Sequence, residues 1–143
     1  MISGTAKSES IHEIIRGDEV ADELSLNIRM SAALGVYALA PVGKQQTIDW
    51  GTIGQGGGIQ IIGTSEETVS FGDIVYPGFV YLENLDDTNY IEFGPDSTGM
   101  VTLGRLLPGE QCVLRLAPTG VTLIAQANTA SCKMRVVCLE AGT

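Results

Sequence analysis

The sequence predicts an all-β protein: an antiparallel β-sandwich, jelly-roll-like, with an extended N-terminal segment. Three observations predict it. Eighteen glycines are scattered at turn-like intervals with no repeating period, which excludes collagen-like and low-complexity chains and leaves frequent turns. Between them the second half of the chain breaks into runs of about four to eight residues rich in β-branched and aromatic types, each bounded by Gly, Pro, Asn or Asp. Within those runs apolar and polar residues alternate with period two, as a sheet with one buried face requires.

The first half is the less regular. Met1 to Ser10 is polar and able to extend, and is expected to be an arm reaching a neighbouring molecule. Ser8 to Ile15 alternates weakly, and Glu19 to Glu23 has the composition of a helical turn. Leu24, Leu26, Ile28 and Met30 alternate strictly with polar residues and predict a strand. Ser31 to Ala40 fits both a helix and a buried strand. Residues 50–58, from Trp50 through the run of glycines to Gly58, read as a loop before the strand Ile59-Gln-Ile-Ile. No linker composition separates any part from the rest, so residues 1–143 are expected to form one sandwich domain.

The second half supplies the strands Ile74-Val-Tyr, Phe79-Val-Tyr-Leu, Tyr90-Ile-Glu-Phe, Met100 to Leu107, Gln111 to Ala117, Val121 to Ala127 and Cys132 to Leu139. Cys112, Leu114 and Leu116 share the face opposite Val113 and Arg115. Cys132, Met134, Val136 and Cys138 share the face opposite Lys133 and Arg135, so two cysteines lie on one inward stripe. The three cysteines are odd in number and have no CxxC spacing, which reads as small buried hydrophobes in a reducing compartment.

A chain of 143 residues can bury about 68–70% of its unfolded surface around one core. Eight Lys and Arg against seventeen Asp and Glu give a net charge of −9, which repels phosphate backbones and anionic membranes, so neither nucleic acid nor membrane is an expected partner. Only 17% of residues are charged and 44% are apolar, which excludes an acidic disordered tail and suggests that some surface is covered by a partner. The N-terminus has neither a basic start nor an apolar signal core, so a soluble, unprocessed protein is expected.

Few residue groups have the spacing that chemistry demands. Gly54-Gln-Gly-Gly-Gly58 is followed by a strand-like segment with no Lys-Ser/Thr and no helix, so it lacks the context of a phosphate-binding loop. His12 is the single histidine, with no cysteine near it in sequence to complete a zinc site or an activated nucleophile. Arg16-Gly-Asp18 spells the integrin-read tripeptide, a three-residue match that a polar turn also gives. The acidic stretch Leu82 to Gly94, LENLDDTNYIEFG, packs four carboxylates and two asparagines. Counting from Asp86, the calcium-loop register places Tyr90 where an oxygen ligand is needed and provides no adjacent glycine. Its carboxylates come from one segment, unlike the separated pairs that flank a sugar ring in glycosidases. The stretch therefore reads as a hairpin whose turn is set by Asp86, Asp87 and Asn89, with Tyr90-Ile-Glu-Phe running back. Loss of a local bond in Asn89→Ala is expected to cost about 1 kcal/mol. The sequence nominates no catalytic, cofactor-binding or metal-ligating residue, and no cofactor.

Gly78-Phe-Val-Tyr-Leu-Glu-Asn-Leu-Asp-Asp-Thr-Asn-Tyr-Ile-Glu-Phe-Gly94, Leu106-Leu-Pro-Gly-Glu110 with Leu114-Arg-Leu116, and Leu123-Ile-Ala-Gln-Ala-Asn-Thr-Ala130 resemble motifs of small virion structural proteins of tailed bacteriophages. The resemblance covers residues 60 to 143 and rests on turn motifs. It implies a non-enzymatic virion component, either a capsid decoration (cement) protein, a head fibre or a neck or tail part. The expectation is a cement protein that binds and stabilises the lattice of the major capsid protein, itself a homo-oligomer (dimer or trimer), located on the capsid surface after assembly in the host cytoplasm. Two other classes remain as alternatives. One is a carbohydrate-binding sandwich for host recognition, with Trp50, Tyr76, Phe79 or Tyr81 as stacking platforms. The other is a metal-assisted enzyme centred on Asp86 and Asp87.

Overall fold

Strict alternation from Leu24 to Met30 builds β1 (Glu23–Leu34), which pairs along its whole length with β2 (Tyr37–Asp49). Gly35, with φ 61°, occupies the first central position of the two-residue turn between them, where a type II′ hairpin needs positive φ. The Ser31 to Ala40 segment that fitted two conformations is thus the two strand ends and their turn. A bulge between Met30 and Ala32 offsets the register by one residue.

The computed structural model describes residues 23–51, 54–117, 119 and 121–141. The expected arm at 1–10, the weak strand from Ser8 to Ile15, His12 and Arg16-Gly-Asp18 lie outside the described residues, as does nearly all of the helical turn expected at Glu19 to Glu23. Contacts divide the chain into two compact units, Met1–Gly51 and Thr52–Thr143. The division is local: β1 finds its ladder partner in the very next segment and, among the described residues, pairs with no other strand.

The described residues of the second unit hold eight strands: β3 (Gln55–Ile62), β4 (Glu67–Thr68), β5 (Pro77–Asn84), β6 (Ile91–Pro95), β7 (Gly104–Leu106), β8 (Gln111–Arg115), β9 (Leu123–Ala127) and β10 (Cys132–Glu140). They form two four-stranded sheets, β3-β10-β5-β8 and β4-β9-β6-β7, and every pairing is antiparallel. The described residues contain no helix, and so none long and apolar enough to cross a membrane. The all-β sandwich is thus observed. Val80, Leu82, Met134 and Val136 of the first sheet meet Ile91, Phe93, Leu123 and Ala125 of the second in one core. Each large side chain buried there contributes about 1.5–3 kcal/mol. Cys132 and Cys138 lie in that core beside Met134 and Val136, on the stripe that alternation predicted, and all three cysteines are free thiols.

Several boundaries differ from expectation: of the strand expected over Met100 to Leu107 only Gly104–Leu106 forms, the one expected from Val121 begins at Leu123, and β4 was not expected. The strand expected at Ile74-Val-Tyr does not form, and the one expected at Phe79-Val-Tyr-Leu begins two residues earlier, at Pro77; a proline without an N–H suits the first position of a strand. Of the loop expected over 50–58, Gln55 to Gly58 are instead the first half of β3, paired with Val136 to Leu139. Glycine disfavours strands on its own account, but here a close partner requires it. Gly57 has φ 103°, and a Cβ there would strike the carbonyl oxygen of Val136.

Candidate functional site

The acidic stretch is built from β5 outward. Val80 and Leu82 point into the core and Phe79, Tyr81 and Glu83 point away, so parity places Asn84 inward at the strand's end. It is fully buried, the one buried polar side chain among the described residues. An unpaired buried amide would cost about 1–3 kcal/mol, and Asn84 meets that demand by fixing the chain around it. Its Nδ2 donates to the carbonyls of Asn89 (2.8 Å) and Leu106 (3.0 Å), and its Oδ1 accepts from the Asp86 N–H (2.9 Å). Asp86 Oδ2 then accepts from the N–H groups of Thr88 (3.0 Å) and Asn89 (2.6 Å). Those two bonds, Asn89 first and Thr88 second, hold the Asp86 carboxyl below its ordinary range.

This turn joins two sheets rather than two neighbours in one. β5 pairs with β10 and β8, whereas β6 pairs with β9 and β7. The hairpin expected over Leu82 to Gly94 is therefore an arch across the sandwich. The Asn84 N–H goes to the Glu110 carbonyl (2.9 Å) and the Leu85 N–H to the Lys133 carbonyl (2.9 Å), after which the backbone leaves the first sheet.

The three quoted motifs meet at this arch. In Pro108-Gly109-Glu110, Glu110 Oε1 accepts from the Leu107 N–H (2.8 Å), and the Gly109 N–H donates to the Asn84 carbonyl (3.1 Å). From the third motif, Asn128 Oδ1 accepts from the Tyr90 N–H (3.2 Å), its own N–H returns to the Tyr90 carbonyl (3.2 Å), and Thr129 Oγ1 donates to Asn89 Oδ1 (2.6 Å). Asn84, Asn128 and Thr129 were not singled out from the sequence. Asn84 carried a readable signal, because it continues the inward parity of Val80 and Leu82.

The carboxylates of the arch are committed to turns. Asp86 serves main-chain N–H groups, and Asp87 Oδ1 accepts from Thr88 Oγ1 (3.1 Å). Among the described residues no three His, Cys, Asp or Glu come together as a metal-holding group. Burial pushes the thiols of Cys112, Cys132 and Cys138 above the ordinary value, which works against a nucleophilic thiolate.

The outer face of the first sheet carries Phe79 and Tyr81, both half-buried. The Arg115 guanidinium lies over the Phe79 ring at 5.1 Å. The Tyr81 hydroxyl sits 2.6 Å from Gln111 Oε1 and 3.0 Å from Glu83 Oε1, and Glu83 pairs with Arg135 at 3.2 Å. Burial first, and then the Glu83 carboxylate, raise the Tyr81 hydroxyl above its usual value. Beside this row, Gly56 to Gly58, Arg135 and Val137 line an open groove of about 340 Å³. On the second sheet Arg105 spans Glu92 (2.8 Å) and the Tyr90 ring (4.0 Å). Of the four expected stacking platforms the structure brings together Phe79 and Tyr81. Tyr76 precedes β5, with its carbonyl accepting from the Ala141 N–H (2.7 Å), and Trp50 belongs to the other unit.

No protein-family model, curated protein or solved structure matches this chain.

Proposed function

We propose that the chain is a non-enzymatic structural protein of a tailed-phage virion, a decoration (cement) protein that binds the major capsid protein lattice and stabilises it. One observation carries the reading. The three motifs on which the phage resemblance rests, some forty residues apart at their extremes, converge as one hydrogen-bonded knot around Asn84 and Asn89. Turns that lock one another in this way support reading the likeness as one of fold.

Connectivity supports it. Numbered within the second unit, the sheets run first-eighth-third-sixth and second-seventh-fourth-fifth, from which we infer a jelly roll, an architecture used by viral capsid and lectin domains. That is an argument by analogy of fold. The work of such a protein is contact: bridging neighbouring capsid subunits over about 1,200–2,000 Å² of interface, with its acidic charge drawn toward basic patches of the lattice. The test is to purify virions and count this chain by quantitative mass spectrometry and cryo-EM. Copies comparable to the capsid protein are expected. A handful of copies per particle would assign it to the neck or tail, and none would end the reading.

A carbohydrate-binding reading is favoured by one feature, the pairing of Phe79 and Tyr81 with polar Gln111, Glu83 and Arg115 on an outer face. A glycan array without signal would remove it.

A further inference from the structure

We infer that the β1–β2 ribbon is a self-association surface, and that its apolar face is covered by the same face of a second copy of this chain. Residues opposite one another in an antiparallel ladder point to the same side, so the register divides the ribbon cleanly. Leu24, Leu26, Ile28 and Met30 share a face with Ile48 and Val42, while Ser25, Asn27, Arg29, Gln45 and Thr47 share the other. Ile28, Met30 and Val42 on the apolar face are 51%, 60% and 48% exposed. Beyond the bulge the same face continues to Leu34 and Tyr37, also exposed. Lys44 and Gln46 interrupt it, with stems long enough to lie along apolar surface and carry their heads to a rim.

A physical argument places a copy of the chain there. A two-stranded hairpin alone is marginal in water, so a ribbon of twelve- and thirteen-residue strands needs another layer, and a second amphipathic ribbon supplies one at the usual sheet spacing of about 10 Å. Charge bears on that layer only lightly. The ribbon is neutral as a whole, with Glu23, Asp49 and Arg29 on its polar face and Lys44 the one charge on its apolar face. The net charge of −9 therefore lies elsewhere in the chain, and the Lys44 ammonium reaches the rim of the contact. A face about 40 Å long and about 12 Å wide buries on the order of 1,000 Å² for a pair, just below the range of specific interfaces and about the least that a biological one clears. The inference stands apart from the virion assignment: a monomeric chain found on capsids would overturn it and leave that assignment untouched.

The experiment is light scattering with sedimentation velocity on the full chain at tens of micromolar. The native protein is expected at a multiple of its 15.1 kDa mass. The double variant Ile28→Lys, Met30→Lys, which alters exposed positions only, should associate at least about a hundredfold more weakly. A polar-face control, Ser25→Lys with Asn27→Lys, should keep the native mass. Circular dichroism melts verify folding, and the milder Ile28→Ser must still weaken association if the double variant fails to fold. A native protein that is monomeric at this concentration, or face variants that leave its mass unchanged, would overturn the inference.

Discussion

Asn84 holds three parts of the chain at once, because its amide has no water to turn to. Asn84→Ala strands the carbonyls of Asn89 and Leu106 and the N–H of Asp86, and a loss of roughly 2–4 kcal/mol is expected from urea titration. Asn89 is a milder case. Its side chain meets Thr129 Oγ1, while its main-chain N–H and C=O make the bonds within the turn. Asn89→Ala and Thr129→Val should therefore each cost about 0.5–1.5 kcal/mol and share that loss, with a positive coupling in a double-mutant cycle; additive costs would refute the pairing. Asp86 brings pH dependence. Its folded pKa lies below the ordinary 3.8, so the charged form is favoured by folding. That contribution is full above the unfolded value and is lost as pH falls through the lower folded one. Asp86→Asn, whose oxygen accepts the same two N–H bonds, should give a shallower decline in melting temperature below pH 3.8 than the native chain. How much of the site the sequence revealed follows from these residues. Asp86 was legible because Asx turns are local. The partnership of Asn84 with Leu106 and of Asn89 with Thr129 was not, since 22 and 40 residues separate the partners.

Strands with one wet face were the readable ones. β10 alternates buried and exposed from Cys132 to Val136, and β5 and β8 follow the same rule, so the hydrophobic pattern alone located them. β3 was half-missed because its first half has almost no side chains to form a pattern; its strand character is imposed by β10. Gly57→Ala should show this. The added Cβ meets the Val136 carbonyl in a backbone region that L-residues avoid, and a cost of about 1–3 kcal/mol is expected from thermal or urea melts. The arch between β5 and β6 was misread as a hairpin for a related reason. A turn's residues report that the chain reverses, whereas the sheet it re-enters depends on distant partners, here Leu123 to Ala127 of β9.

The two units differ in how they are stabilised. Thr52–Thr143 contains a core to which both sheets contribute, whereas the ribbon of the other unit has only its own ladder among the described residues. A chain beginning at Thr52 should therefore melt cooperatively in calorimetry, within a few degrees of the native sandwich transition; a broad, weak transition would show that the sandwich depends on what precedes it. Division at Gly51 was not legible in the sequence, because no proline, glycine or charge run marks it more strongly than the glycines that follow. The sandwich also begins and ends side by side: Gln55 faces Leu139 in register, and the Glu140 N–H donates to the Gly54 carbonyl (2.8 Å). Tension applied to those two ends would enter the ladder at a single rung and peel β3 from β10 one pair at a time. The same ladder loaded lengthwise would resist with all its rungs together. Load borne by this chain is thus best taken up through the sheet faces, leaving the ends of the sandwich slack.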